Sequence, residues 1–102
     1  MKFLPITKEE YAQTVLLADF IAKIKVVVQS DKNIAGIKFV PEIQGYDISF
    51  SQNDVAVKIK LIKDDSDGMY IEKYVSGKLT DSYLSHSKDD NSTIMNCIFN
   101  CN

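Results

Sequence analysis

Residues 55–62 read Val-Ala-Val-Lys-Ile-Lys-Leu-Ile. In an extended chain Val55, Val57, Ile59 and Leu61 point one way, and Ala56, Lys58, Lys60 and Ile62 point the other. A period of two marks a strand with one buried face and one wet face. No other stretch constrains the chain as much, because a slip of one residue in its pairing would turn every apolar side chain to the wrong side.

The segments around it extend the pattern. Ile34–Val40, Tyr46–Phe50 and Met69–Val75 read as further strands. Pairing Phe50 with Val55 across a loop Ser51–Asp54 sets Ile48 against Val57 and Tyr46 against Ile59 on the buried side, with Asp47 against Lys58 on the wet side. Pairing Phe39 with Tyr46 sets Ile37 against Ile48 and Lys38 against Asp47. Pairing Ile62 with Tyr70 sets Leu61 against Ile71, Val57 against Val75 and Lys60 against Glu72. Lys73 falls beside Ile59 on the inner face, where its stem lets the ammonium reach outward. Gly36 inside a strand suggests a bulge, and Gly45, Gly68 and Gly77 read as turns.

Before the strands comes a helix. Thr7 and Glu10 form a capping box, with the helix starting at Lys8. Leu16, Leu17, Phe20, Ile21 and Ile24 share one face at helical spacing, and Asp19 and Lys23 mark the wet side. The helix is expected to reach Ile24 or Lys25. Val26–Val28 fits either its continuation or a short strand. After Val75, Lys78–Leu84 fits a fifth strand or a helix start. Ser85–Ser92 reads as a polar, mobile loop. Thr93–Cys101 fits both periods, and is taken as a short helix capped by Asn91 or Ser92.

The expected fold class is α+β, with an N-terminal helix packed on one face of an antiparallel meander sheet of four to five strands. At 102 residues the chain is read as a single globular domain, 1–102. The helix-then-meander order resembles the layout of cystatin-like domains. The resemblance is one of architecture, since no cystatin loop motif is present, and it transfers no activity.

Composition narrows the partners. Apolar residues make up 45% and charged residues 25%, with a net charge of −2. All the basic residues are lysine, and they are scattered among acids, which argues against direct nucleic-acid binding. Much lysine, asparagine and isoleucine fits a low-GC bacterium or one of its mobile elements. The run Val15–Val28 contains Asp19, Lys23 and Lys25, so no membrane span is expected. Met1–Pro5 offers no secretory signal, and a cytoplasmic location follows as the default. Cys97 and Cys101 are then reduced thiols, and the sequon Asn91-Ser92-Thr93 carries no meaning.

Few residues offer chemistry. Asp64-Asp65-Ser66-Asp67-Gly68 suggests a calcium loop, but counting back from Gly68 places Lys63 at position one and Tyr74 at position twelve, so a solvated hairpin loop is the better reading. Cys97-x-x-x-Cys101 is not zinc-knuckle spacing; with His86 and Asp89 or Asp90 it makes only a poor metal site. His86 has Ser85, Ser87 and Asp89 near it in sequence, but no rigid element to orient them. No catalytic residue, metal or cofactor is expected.

Two surfaces carry more apolar area than a monomer needs. Ile62, Tyr70 and Tyr74 fall on the wet sheet face and form a candidate partner-binding patch. Tyr11, Val15, Ala18 and Ala22 form a second strip on the helix, a candidate self-association surface for a homodimer. The expected function is a non-catalytic protein-binding module, a small inhibitor or regulator that occludes a partner protein. The alternatives are a small-ligand-binding domain or an acidic nucleic-acid mimic using Asp64, Asp65, Asp67, Asp89 and Asp90, with an enzyme last.

Overall fold

The computed structural model describes residues 8–64 and 68–100. Its elements in order are α1 (Lys8–Ser30), β1 (Ile34–Glu42), β2 (Gly45–Gln52), β3 (Val55–Lys63), β4 (Met69–Val75), β5 (Lys78–Ser85) and α2 (Lys88–Asn100). The strands form one antiparallel sheet in the order β1-β2-β3-β4-β5. Both helices lie on its inner face, so the α+β architecture read from the sequence holds, and the short C-terminal helix starts earlier than expected, at Lys88.

The inner face and the helices share one core. Phe20 and Ile24 of α1 pack on Ile48, Phe50, Val57, Ile59, Leu61, Met69 and Ile71 of the sheet. Ile94, Met95 and Ile98 of α2 complete it. Phe99 stacks on Phe50 with ring centroids 5.7 Å apart.

Helix α1 runs through Val26–Val28 to Ser30. Val27 and Val28 are half-buried against the core, and that packing outweighs the mild helix penalty of β-branched residues. The Asp31 amide donates to the Val27 carbonyl at 3.0 Å, and the Ser30 hydroxyl donates to the Val26 and Val27 carbonyls. Thr7, half of the expected capping box, lies outside the described residues.

The β3–β4 register is as expected: Ile62 pairs with Tyr70, Leu61 with Ile71, Lys60 with Glu72 and Val57 with Val75. The β2–β3 register is not. Phe50 pairs with Val57, Ile48 with Ile59 and Asp47 with Lys60, a displacement of two residues that preserves every face. The turn is responsible. Asn53 and Asp54 have φ of 53° and 67°, the left-handed pair of a tight type I′ hairpin, so the loop is shorter than Ser51–Asp54. Lys58 still reaches Asp47 diagonally, at 3.8 Å.

The β1–β2 register is displaced likewise, with Phe39 on Ile48, Lys38 on Ser49 and Val40 on Asp47. Lys38 therefore does not oppose Asp47. The pairing breaks between Ala35 and Lys38 at the expected bulge, where Gly36 has φ +66°. Gly45 is small for another reason: a Cβ there would lie 1.6 Å from the Leu61 carbonyl oxygen.

In the C-terminal third the strand alternative for Lys78–Leu84 holds, and the expected loop does not. Lys78–Ser85 is a full strand, and the segment 85–92 closes β5 and opens α2 instead of forming a polar loop. The helix is capped by Ser87, whose hydroxyl accepts from the Asp90 amide at 3.0 Å. The Asp90 carboxylate reaches back to the His86 amide at 2.9 Å. Neither Asn91 nor Ser92 is the cap. Lys73 does sit on the inner face beside Ile59, but its ammonium donates to the Ile98 carbonyl at 3.1 Å, satisfying the end of α2.

Candidate protein-binding face

The outer sheet face is a grid fixed by the register. One row across it reads Gly45–Ile62–Tyr70–Leu84, the next Asp47–Lys60–Glu72–Ser82, and the next Ser49–Lys58–Tyr74–Leu79. The β1–β3 side of the grid is polar and charged. The β4–β5 side carries the apolar and aromatic residues in two rows, with Glu72 and Ser82 between them. Ile62, Tyr70 and Tyr74 share this face as expected from their alternation, each half-buried. Leu79 and Leu84 join them at 51% and 47% exposure. Neither leucine has a defined face in the sequence, because Lys78–Leu84 fits both a strand and a helix start.

Tyr74 is fixed in place. Its hydroxyl donates to the Glu72 carboxylate at 3.1 Å. Partial desolvation, that hydrogen bond and the negative charge of Glu72 all push its pKa upward, so the phenol stays protonated. Lys58 lies opposite Tyr74 and Lys60 opposite Glu72. The site thus offers a rigid aromatic surface with alternating charges at its side, suited to contact with another protein surface.

The helix strip is placed differently. Ala18 and Ala22 are exposed, and Val15 is half-buried. The side chain of Tyr11 lies outside the described residues. Val26, 66% exposed, continues the strip by one turn. Helix α2 packs against α1 on the Asp19–Lys23 side instead, so it does not cover these residues.

The contact between the helices is polar and buried. Asn91 has no exposed surface. Its amide donates to the Leu16 carbonyl and the Asp19 carboxylate, both at 3.0 Å, and its oxygen accepts from the Ser85 hydroxyl at 2.6 Å. Lys23 pairs with Asp19 at 2.5 Å. Burial alone would raise the Asp19 pKa. The hydrogen bonds from Lys23 and Asn91, with the charges of Lys23 and Lys88, outweigh it and hold the carboxyl below its ordinary range. The sequon asparagine is therefore an internal clasp, and in the folded chain its amide is inaccessible.

The other chemistry-bearing residues do not converge. His86 is exposed between β5 and α2. The hydroxyls beside it are committed elsewhere, Ser85 to Asn91 and Ser87 to the helix cap. Cys97 is exposed, and Cys101 lies outside the described residues. Asp65, Ser66 and Asp67 of the calcium-like loop also lie outside them, as do two of the carboxylates of the nucleic-acid-mimic reading. Among the described residues no three His, Cys, Asp or Glu side chains gather as a metal site. No helix among them is long and apolar enough to cross a membrane.

A cavity of about 410 Å³ opens between α1 and the β1–β2 hairpin, lined by Thr14, Leu17, Ile43, Tyr46, Lys63 and Met69 among others. The crowded inner face gave no sign of it in the sequence, because it forms between Thr14 and Leu17 of α1 and residues of the β1–β2 turn and the β3–β4 end, which only the fold brings together. Comparison with family models, curated proteins and solved structures finds no match to this chain.

Proposed function

We propose that the protein is a non-catalytic binding module that occludes a partner protein through the β3–β5 part of its outer sheet face. The supporting observation is that exposed Leu79 and Leu84 fall into register with Tyr74 and Tyr70. With Ile62 they make two apolar rows on one face, Ile62–Tyr70–Leu84 and Tyr74–Leu79, on either side of Glu72 and Ser82, and such grouped exposed apolar residues mark interaction surfaces. Tyr70 and Tyr74 are the anchors, since aromatic side chains carry much of the energy of such interfaces. The protein acts in the cytoplasm, and a low-GC bacterium is the host to search first.

The test compares immobilised wild type with the double variant Tyr70→Ala, Tyr74→Ala in a low-GC bacterial lysate, with retained proteins quantified by mass spectrometry. A protein held by wild type and lost from the equally folded variant is expected. The same retained set for both would remove this face from the function.

The cavity beside α1 favours a second reading, binding of a small apolar ligand. Its volume lies in the usual range for such sites, about 300–1,000 Å³. Chemical-shift changes at Ile43 and Met69 on titration with small apolar compounds are the expected sign, and a silent titration would leave the sheet face as the functional surface.

A further inference from the structure

We infer that two copies of the chain join edge to edge, β5 against β5, in an antiparallel pairing centred on Ser82. The inference does not depend on the protein-binding reading.

The two edges of the sheet are built differently. β1 carries the devices that discourage pairing: the Gly36 bulge, an outward Lys38, and Pro41, which has no amide hydrogen to donate. Among the described residues β5 pairs with β4 alone. Residues 78–82 are all exposed, and so is Leu84. The irregularity in β5 sits near its turn, where Thr80 has no residue directly opposite it in β4, although its hydroxyl donates to the Lys73 carbonyl at 3.2 Å. Beyond it Asp81–Ser85 run in unbroken register against Lys73–Met69.

The register of a β5 pair follows from faces and charge. Leu79, Ser82 and Leu84 belong to the outer face, because they oppose Tyr74, Glu72 and Tyr70. Asp81 and Tyr83 belong to the inner face, opposite Lys73 and Ile71. A twofold axis at Asp81 would set two carboxylates against each other. An axis at Tyr83 would carry Leu79 past the end of the strand. With the axis at Ser82, Asp81 lies opposite the partner's Tyr83. The Thr80 bulge then restores the alternation, so Leu79 meets the partner's Leu84 on the outer face, and the reverse contact repeats across the axis. The same patch is used twice, as a closed twofold interface requires. The apolar row Ile62–Tyr70–Leu84 continues into the partner's Leu79 and the partner's Tyr74. Two half-faces become one surface on a continuous sheet.

The test uses the full chain. Sedimentation across the micromolar range is expected to show a monomer–dimer equilibrium. Ser82→Lys should keep the fold, because the new ammonium would face Glu72 in its own sheet, but like charges would meet at the axis and leave a monomer. In a Cys97→Ser, Cys101→Ser background, Ser82→Cys should form a covalent dimer on mild oxidation, because directly opposed residues lie about 4.5–5.5 Å apart, within the span of a disulfide. Lys38→Cys on the β1 edge should not. A wild type that stays monomeric at the highest concentration would overturn the inference. So would a dimer that survives Ser82→Lys, or one abolished by Ala18→Glu on the helix strip. If Ser82→Lys fails to fold, the cysteine pair decides: equal cross-linking at Ser82→Cys and Lys38→Cys also overturns it.

Discussion

Asn91 shows how much one buried polar side chain can organise. It satisfies both amide hydrogens on α1 and receives the Ser85 hydroxyl from the end of β5. Asn91→Ala should cost about 1–3 kcal/mol, the cost of leaving buried polar groups unpartnered, read as a lower denaturant midpoint at unchanged slope. Asn91→Asp should behave differently with pH. A second carboxylate beside Asp19 raises the pKa of the pair in the fold, so that variant should gain stability relative to wild type as pH falls. Asp19 itself gives the opposite sign. Its folded pKa is depressed, so its contribution is present above the unfolded carboxylate value and is lost as pH falls through the folded one. Wild type should therefore lose more stability on acidification than Asp19→Asn. In the apolar core, Phe20 has no exposed surface. Phe20→Ala should cost about 3–5 kcal/mol, a large part of the roughly 5–15 kcal/mol that holds a domain together.

At the scale of elements, short polar segments decided the register and the helix start. Asn53 and Asp54 close β2 onto β3 in left-handed conformations. Asp54→Gly removes the steric cost of a side chain at positive φ and should raise the melting temperature slightly without moving any cross-strand contact. Ser87→Ala should remove the cap of α2 and cost about 1 kcal/mol, seen as faster amide exchange in its first turn. These segments also mark where sequence reading went astray. The alternation of β2 and β3 determines which face each residue takes, and it was legible. It cannot distinguish registers that differ by two residues, because both preserve the faces. The choice lay with the turn. For α2, the polar composition of residues 85–92 read as loop, although Ser87 and Asp90 are what a helix start requires. The stripe Ile94, Met95, Ile98 and Phe99 was legible at helical spacing, but polar Asn91 gave no sign that the buried face begins a turn earlier.

At the scale of the whole molecule, α2 is part of the core. Truncation after His86 would remove Ile94, Met95, Ile98 and the Phe99 ring that stacks on Phe50. The remaining helix and sheet should lose cooperative unfolding and bind a hydrophobic dye, whereas a truncated chain that melts sharply would show α2 to be dispensable. By itself the sequence determined the α+β class, the strands β1–β4, the core face of α1 and the outward placement of Ile62, Tyr70 and Tyr74. Those features follow from local periodicity, which the order of residues carries directly. Only the tertiary structure decided the fate of Val26–Val28, the strand identity of 78–85, the inward role of Asn91 and Lys73, and the addition of Leu79 and Leu84 to the aromatic face. Each of these depends on what a residue meets across the fold. A helical extension, a buried amide or an inward lysine becomes stable only when a distant segment supplies its packing or its hydrogen-bond partner.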